Sequence, residues 1–267
     1  MPYLSPALNV MAAAARKAGR ALIRDFGELE NLQVSMKGPA DFVTAADKRT
    51  ERVLMEELSR ARPGYGFLAE ETGVHEGPDK SHRFIIDPID GTTNFLHGIP
   101  IFAISIALER EGQLASAVVY NPVVDEMYMA EKGHGAYLNS KRLRVAARKS
   151  LAESLFATGI PFMGRPGHER SLAELRSVMG RCSGIRRCGA ASLDLAGVAA
   201  GRFDGFWERG LNAWDIAAGV LLVREAGGVV SDLEGGARVL ETGNILAANE
   251  TLHPQILKLL KDASAES

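Results

Sequence analysis

The chain reads as an α/β or α+β protein of stacked sheets and helices. Three observations predict this. Two helical segments open the chain, a β-rich stretch fills residues 84–131, and strands alternate with helices from residue 155 onward. No repeat, low-complexity tract or linker interrupts the 267 residues. A boundary is expected near residue 150, with residues 1–150 as an N-terminal half and residues 151–267 as a C-terminal α/β half. Without a flexible connector, the two halves are expected to pack tightly as one catalytic unit.

The elements follow in order. Ser5-Pro6 places a capping hydroxyl and a first-turn Pro at a helix start. Leu8, Met11, Ala12, Ala15, Leu22, Ile23 and Phe26 then form an apolar stripe, and Gly27 closes it. A loop through Gly38-Pro39 leads to a second helix over residues 45–61, stopped by Pro63. Residues 67–69 form a short strand that ends at Glu70-Glu71. Residues 73–82 are Gly, Pro and charge, and read as an exposed loop. Strands are predicted at 84–87, 102–110, 114–121 and 126–131, with hairpin turns at Glu111-Gly112-Gln113 and around Asn139-Ser140. The second half alternates: strand 155–160, helix 168–180, strand 184–188, helix 190–201, strand 203–208 and helix 213–226. Strands 228–232 and 245–248 and a helix over 253–261 complete it.

The net charge of −2 gives no global attraction for nucleic acid or an anionic membrane. Two cysteines, Cys182 and Cys188, make no disulfide framework and favour a reducing compartment. Residues 1–26 carry Arg16, Lys17, Arg20 and Arg24 at helical spacing, with no signal-peptide core. No run is long and apolar enough to span a bilayer. Together these predict a cytoplasmic enzyme.

The densest chemistry lies in Asp87-Pro88-Ile89-Asp90-Gly91-Thr92-Thr93-Asn94-Phe95. Asp-Pro and Asp-Gly are also common turn dipeptides. Here two acids follow the apolar strand Phe84-Ile85-Ile86 and precede paired hydroxyls. Acids at a strand end hold hard cations, and the Ile89 carbonyl between them offers a further oxygen. Free N–H groups and threonines at a helix start hold an anion. The stretch therefore reads as a metal-dependent phosphate site.

Other candidates carry two readings each. Glu70 and Glu71 are a solvated loop face on their own and metal ligands in partnership with neighbouring strand ends; Glu70 lies nearer the strand. Asp215 follows Trp214 and is either a helix N-terminal acid or a ligand beside a buried aromatic wall. Asp47 in Thr44-Ala45-Ala46-Asp47 resembles a capping box, a role compatible with catalysis. Gly189-Ala190-Ala191-Ser192 follows Arg186-Arg187 and allows either tight helix packing or close approach of a ligand. Glu208, at a strand end, faces either solvent or a polyol. No zinc pattern, Gly-x-Ser-x-Gly elbow, Walker loop or dinucleotide fingerprint appears.

These segments, in this order along the chain, resemble the inositol monophosphatase family of lithium-sensitive, magnesium-dependent phosphatases, and most closely its bacterial branch. The matching stretches are Asp41 through Asp47, Ala69 through Thr72, Asp87 through Phe95, Gly189-Ala190-Ala191, and Trp214 through Gly219. The resemblance implies an alternating α-β-α-β-α layered sandwich and a homodimer. It implies two to three Mg2+ ions per active site. Glu70, Asp87 and the Ile89 carbonyl would hold one ion, and Asp87, Asp90 and Asp215 a second. A third, weaker ion would lean on Glu70. It implies Asp47 and Thr92 as the pair orienting the attacking water, with Glu70 beside them. Gly91, Thr92 and Thr93 would bind phosphate. Glu208, Gly189 and Ala191, with Asp90 and Asp215, would face a small phosphorylated polyol, and Arg186 a basic position near it. Arg209 and Asn212 flank Glu208 and Asp215 on the substrate side. The implied reaction is hydrolysis of myo-inositol 1-phosphate. Histidinol phosphate, fructose 1,6-bisphosphate and 3′-phosphoadenosine 5′-phosphate are the alternatives. Some bacterial members also serve ribosomal RNA antitermination, which implies contact with RNA polymerase and Nus factors. No membrane contact is implied.

Overall fold

The structure is a computed structural model that describes residues 5–28, 34–38 and 41–265. Helix α1 (Pro6–Phe26) begins where Leu8 donates its amide to the Ser5 hydroxyl, with Pro in the first turn. Two short strands, β1 (Val34–Gly38) and β2 (Asp41–Thr44), then pair antiparallel. A loop was expected there; such short arms show no readable period, and Pro39 lies outside the described residues. Helix α2 (Ala45–Ala61) starts in a complete capping box between Thr44 and Asp47.

A mixed sheet of eight strands follows. It contains β3 (Tyr65–Ala69), β4 (Gly73–His75) and β5 (Asp79–Asp90). The short helix α3 (Thr92–Leu96) intervenes. The sheet continues with β6 (Ala103–Arg110), β7 (Gln113–Asn121), β8 (Glu126–Glu131), β9 (Gly135–Leu138) and β10 (Lys141–Arg142). The strand order is β10-β9-β8-β7-β6-β5-β3-β4, with β3 and β5 parallel. Residues 73–82, read from sequence as a loop, instead supply β4 and the start of β5. Their polar side chains hide the strand from a pattern search, but His82 and Arg83 pair with Arg110 and Glu109 of β6.

After a 3-10 turn at Leu151–Glu153 come β11 (Leu155–Thr158), α4 (His168–Met179), β12 (Gly184–Arg186) and α5 (Ala191–Ala199). Then follow β13 (Gly205–Glu208), α6 (Ala213–Glu225), β14 (Val229–Ser231), α7 (Val239–Thr242), β15 (Ile245–Ala248) and α8 (His253–Ala265). This sheet has the order β12-β11-β13-β15-β14.

Period-two alternation assigns the layers. On β5, Phe84 and Ile86 join a core with Met11, Leu22, Leu54 and Leu58 of α1 and α2, while Ile85 faces the opposite core. That central core holds Leu195 of α5 and Ile216 and Val220 of α6, and also takes Phe206 and Ala247 from the second sheet. Trp207 and Leu246 point the other way, onto Val178 of α4 and Ile256 and Leu260 of α8. The order of layers is helices, eight-stranded sheet, helices, five-stranded sheet, helices: the expected α-β-α-β-α sandwich. Helices α5 and α6 pack tightly at Gly219, where a methyl group would fall 2.5 Å from Leu195 Cβ. Among the described residues no helix is long and apolar enough to cross a membrane.

Candidate active site

The site forms where β3 and β5 run out side by side. Their parallel register sets Ala69 against Ile86, so Glu70 emerges next to Asp87. The Glu70 amide donates to the Ile86 carbonyl at 3.1 Å, and the Glu70 and Asp87 carboxyl groups meet in a hydrogen bond. Between Asp87 and Asp90 the β5–β6 register slips. Pro88, which has no N–H to give a ladder, sits in that irregularity. The Ile89 amide turns back to Asp87 Oδ1 at 2.9 Å. Asp87 and Asp90 are both buried, at 2% and 8% exposure. The chain then turns at Gly91 with φ 95° into α3, whose start carries no side-chain cap.

Helix α2 brings Asp47 to the same place. One oxygen, Oδ2, receives the Thr44 amide at 2.8 Å and the Thr44 hydroxyl at 2.6 Å. The other, Oδ1, faces the Thr92 hydroxyl at 3.2 Å, and that hydroxyl also lies 3.0 Å from the Ile89 carbonyl. Asp47 is thus both a helix cap and a neighbour of the Asp-Pro-Ile-Asp turn. Asp215 repeats the device in the first turn of α6, where Oδ2 receives the Asn212 amide at 2.6 Å. Trp214 beside it is half-buried rather than buried, packed against the central core.

The electrostatics follow from crowding acids in a low-dielectric place. Burial, then the charges of Glu70, Asp90 and Asp215, hold Asp87 well above the usual carboxylate range. Burial and then Asp90 push Asp215 up to about 8. Burial pushes Asp90 up to about 6, against two hydrogen bonds from Ser192 that pull it down. Burial likewise raises Asp47 to about 6, opposed by its bonds from Thr44.

A second wall comes from the five-stranded sheet and α5. The Glu208 carboxyl lies where a side chain on Gly159 would stand. Burial, then the charges of Asp194, Asp215 and Asp90, push it up to about 8. Gly91 packs against Gly189 and Ala190: a methyl on it would fall 3.2 Å from Ala190 Cβ and 2.9 Å from the Ile101 carbonyl. Ala191 opens α5 and is buried. Thr93 is exposed. Arg186 is exposed and bonds its own strand at the Ile185 carbonyl, while the charge that acts on Glu208 is that of Arg187. Arg209 turns away from the site to pair with buried Glu174 at 2.7 Å.

Three participants had no role assigned to them from the sequence, although Asn94 and Ser192 lie in stretches it singled out. Ser192 donates to Asp90. Asn94 donates to the carbonyls of Ile101 and Cys188, each at 2.8 Å, and so ties α3 to the loop before α5. Asp194, buried in α5, is pushed up to about 7 by burial and faces Cys188, whose thiol burial raises to about 12. Among the described residues no three His, Cys, Asp or Glu side chains are already closed around a common point as a metal centre. The acids nonetheless form an all-oxygen donor set, short of positive charge, of the kind hard cations take.

The comparisons agree with this geometry. Residues 4–265 match the model of the inositol monophosphatase family. An inositol-1-monophosphatase of Mesorhizobium japonicum is 59% identical over 96% of this chain and 97% of its own. The Nus factor SuhB of Pseudomonas aeruginosa is 45% identical over 97% of each chain. The crystal structure of the extragenic suppressor protein suhB from Bartonella henselae superposes with a TM-score of 0.95 at 56% identity, covering 96% of this chain and 99% of that one. A match spanning nearly every residue, on a sandwich with this array of acids, leaves one conclusion: the chain belongs to the inositol monophosphatase family.

Proposed function

We propose that this protein is a Mg2+-dependent phosphoric monoester hydrolase that releases phosphate from myo-inositol 1-phosphate. Phosphatase chemistry follows from its family. The observation that carries the metal-dependent reading is the crowding of Asp47, Glu70, Asp87, Asp90 and Asp215 into one largely buried place. Glu70, Asp87 and the Ile89 carbonyl would hold one ion. Asp87, Asp90 and Asp215 would hold a second, and Glu70 would support a third, weaker one. Mg2+ bound there would neutralise charge on the phosphate and lower the pKa of the attacking water.

The chain's own groups position the reactants. The Thr92 hydroxyl has one hydrogen, shared between Asp47 and the Ile89 carbonyl, so its lone pairs remain to receive a hydrogen from water. Asp47, raised to about 6, is ionised at neutral pH yet basic enough to take a proton. Thr92 and Asp47 therefore orient the attacking water, with Glu70 beside them. The uncapped start of α3, at Gly91, Thr92 and Thr93, presents N–H groups to phosphate oxygens. Glu208, Gly189 and Ala191 face the polyol, with Arg186 as the outer basic position. Phosphoryl transfer asks mainly for such positioning and charge stabilisation.

The test is phosphate release from inositol 1-phosphate, histidinol phosphate, fructose 1,6-bisphosphate and 3′-phosphoadenosine 5′-phosphate, with Mg2+, with EDTA and with lithium. Inositol 1-phosphate is expected to turn over fastest, only with Mg2+, and less with lithium. Full turnover by metal-stripped protein overturns the mechanism. Light scattering and cell fractionation test the accompanying homodimer and cytoplasmic location.

A second reading is favoured by one observation, the Nus factor name of the Pseudomonas relative. Arg186 and Arg187 are exposed and suit a protein contact. Capture of RNA polymerase and Nus factors by an Asp90→Asn variant would establish that role apart from catalysis.

A further inference from the structure

Glu51 lies one helical turn after Asp47 on α2, so both project from the same face of that helix. It is 1% exposed. Its Oε2 accepts the backbone N–H of Glu71 at 2.8 Å. Its Oε1 is buried and has no hydrogen-bond partner among the described residues. Glu71 is the residue immediately after Glu70, so the bond pins the turn from which the Glu70 carboxyl reaches Asp87.

A buried carboxylate oxygen without a donor is costly, and native interiors rarely leave one. The clamp on Glu71 needs a single acceptor, which an amide would supply as well. The second oxygen therefore calls for a donor that the side chains of the described residues do not provide. The geometry points to Glu51 as a positioning residue for Glu70. It fixes the turn through the Glu71 amide, and its open oxygen accepts a hydrogen bond from water carried by an ion at Glu70. One helix face thus serves the site twice: Asp47 aligns Thr92, and Glu51 aligns the end of β3. This inference rests on the Mg2+-dependent reading above.

The test compares wild-type protein, E51Q and E51D by melting temperature against Mg2+ concentration and by kcat at saturating Mg2+. E51Q keeps an acceptor for the Glu71 amide but puts a donor where the open oxygen stood. E51D keeps the charge and both acceptors but shortens the reach. Both variants are expected to raise the Mg2+ midpoint of the thermal shift about tenfold, as loss of groups supporting a ligand commonly does. Both should retain most of kcat once Mg2+ saturates, and E51Q should melt no lower than wild type in EDTA. An unchanged midpoint in E51Q overturns the role of the open oxygen. A raised midpoint in E51Q with a wild-type midpoint in E51D shows a distant charge effect and overturns positioning. If E51Q does not fold, the E51D midpoint decides alone: raised supports the inference, unchanged overturns it. Absence of any Mg2+-dependent shift in wild-type protein would be failure of the underlying reading, a different result from either.

Discussion

Ser192 gives both its amide hydrogen, at 2.7 Å, and its hydroxyl hydrogen to the same oxygen of Asp90, across 102 residues of chain. A helix of the central layer thereby fixes an acid at the end of a strand in the first sheet. Ser192→Ala leaves the amide and removes the hydroxyl. It is expected to cost about 1.5–3 kcal/mol of stability, the range for a hydrogen bond to a charged group. The Mg2+ concentration for half-maximal activity should rise with it. Chemical denaturation and a Mg2+ titration check both, and unchanged values in each would show that the amide alone holds Asp90.

Asp90→Asn deletes one charge from the crowded acids and keeps the shape. Activity should fall by a factor of about 10²–10³, by analogy with losing other transition-state stabilisers. In EDTA the variant should melt higher than wild type, because a like-charge repulsion has gone. Initial rates beside melting curves decide the matter. Near-wild-type rates would reduce Asp90 to a turn residue.

Glu208 and Asp215 separate recognition from catalysis. Glu208→Gln should alter the preference among inositol 1-phosphate, glycerol 2-phosphate and a nucleotide monophosphate, because a site built for a hydroxyl discriminates strongly. Asp215→Asn should depress all three alike, if the ion it is proposed to hold serves the phosphate they share. The readout is kcat/KM in both variants. Equal scaling by Glu208→Gln would remove its recognition role.

Glu208 also sets a pH dependence. Its folded pKa, about 8, lies above the ordinary value of 4.5. A raised pKa means that the folded protein binds the proton more tightly than the unfolded chain. The stability this contributes is full below about pH 4.5 and is lost as pH rises through about 8. In EDTA, Glu208→Gln should match wild type at low pH and exceed it at pH 9. A gain of about 2–4 °C would correspond to roughly 1 kcal/mol for a chain near this size. Identical melting at both pH values would mean that Glu208 is not protonated in the fold.

Gly91→Ala is expected to be destabilised by more than about 1 kcal/mol, since its φ of 95° disfavours any side chain. The added methyl would also press on Ala190 and the Ile101 carbonyl, displacing the phosphate turn from α5. Activity should therefore fall further than stability, as measured by rate and melting on one preparation.

What the sequence made legible was local. Asp47 stands three residues after Thr44, and that capping box forms as read; Asp87 and Asp90 stand three residues apart, and both lie at the end of β5. Partners that meet only in three dimensions left no trace. Ser192 reaches Asp90 across 102 residues and Asn94 reaches Cys188 across 94, separations over which no periodicity operates. The polar start of β5 was lost for a different reason: backbone pairing with β6 makes it a strand. Nor did the position of Arg209 beside Glu208 in sequence foretell its ion pair with Glu174, 35 residues away in the chain.

The contact between Gly219 and Leu195 acts as a calliper. Leu195 already fills the space beside Gly219 and leaves no slack to absorb a thicker side chain. Any atom added at Gly219 must move α5, and α5 carries Ser192, the anchor of Asp90. The accuracy of the acid array is thus gauged by how closely two helices behind it pack.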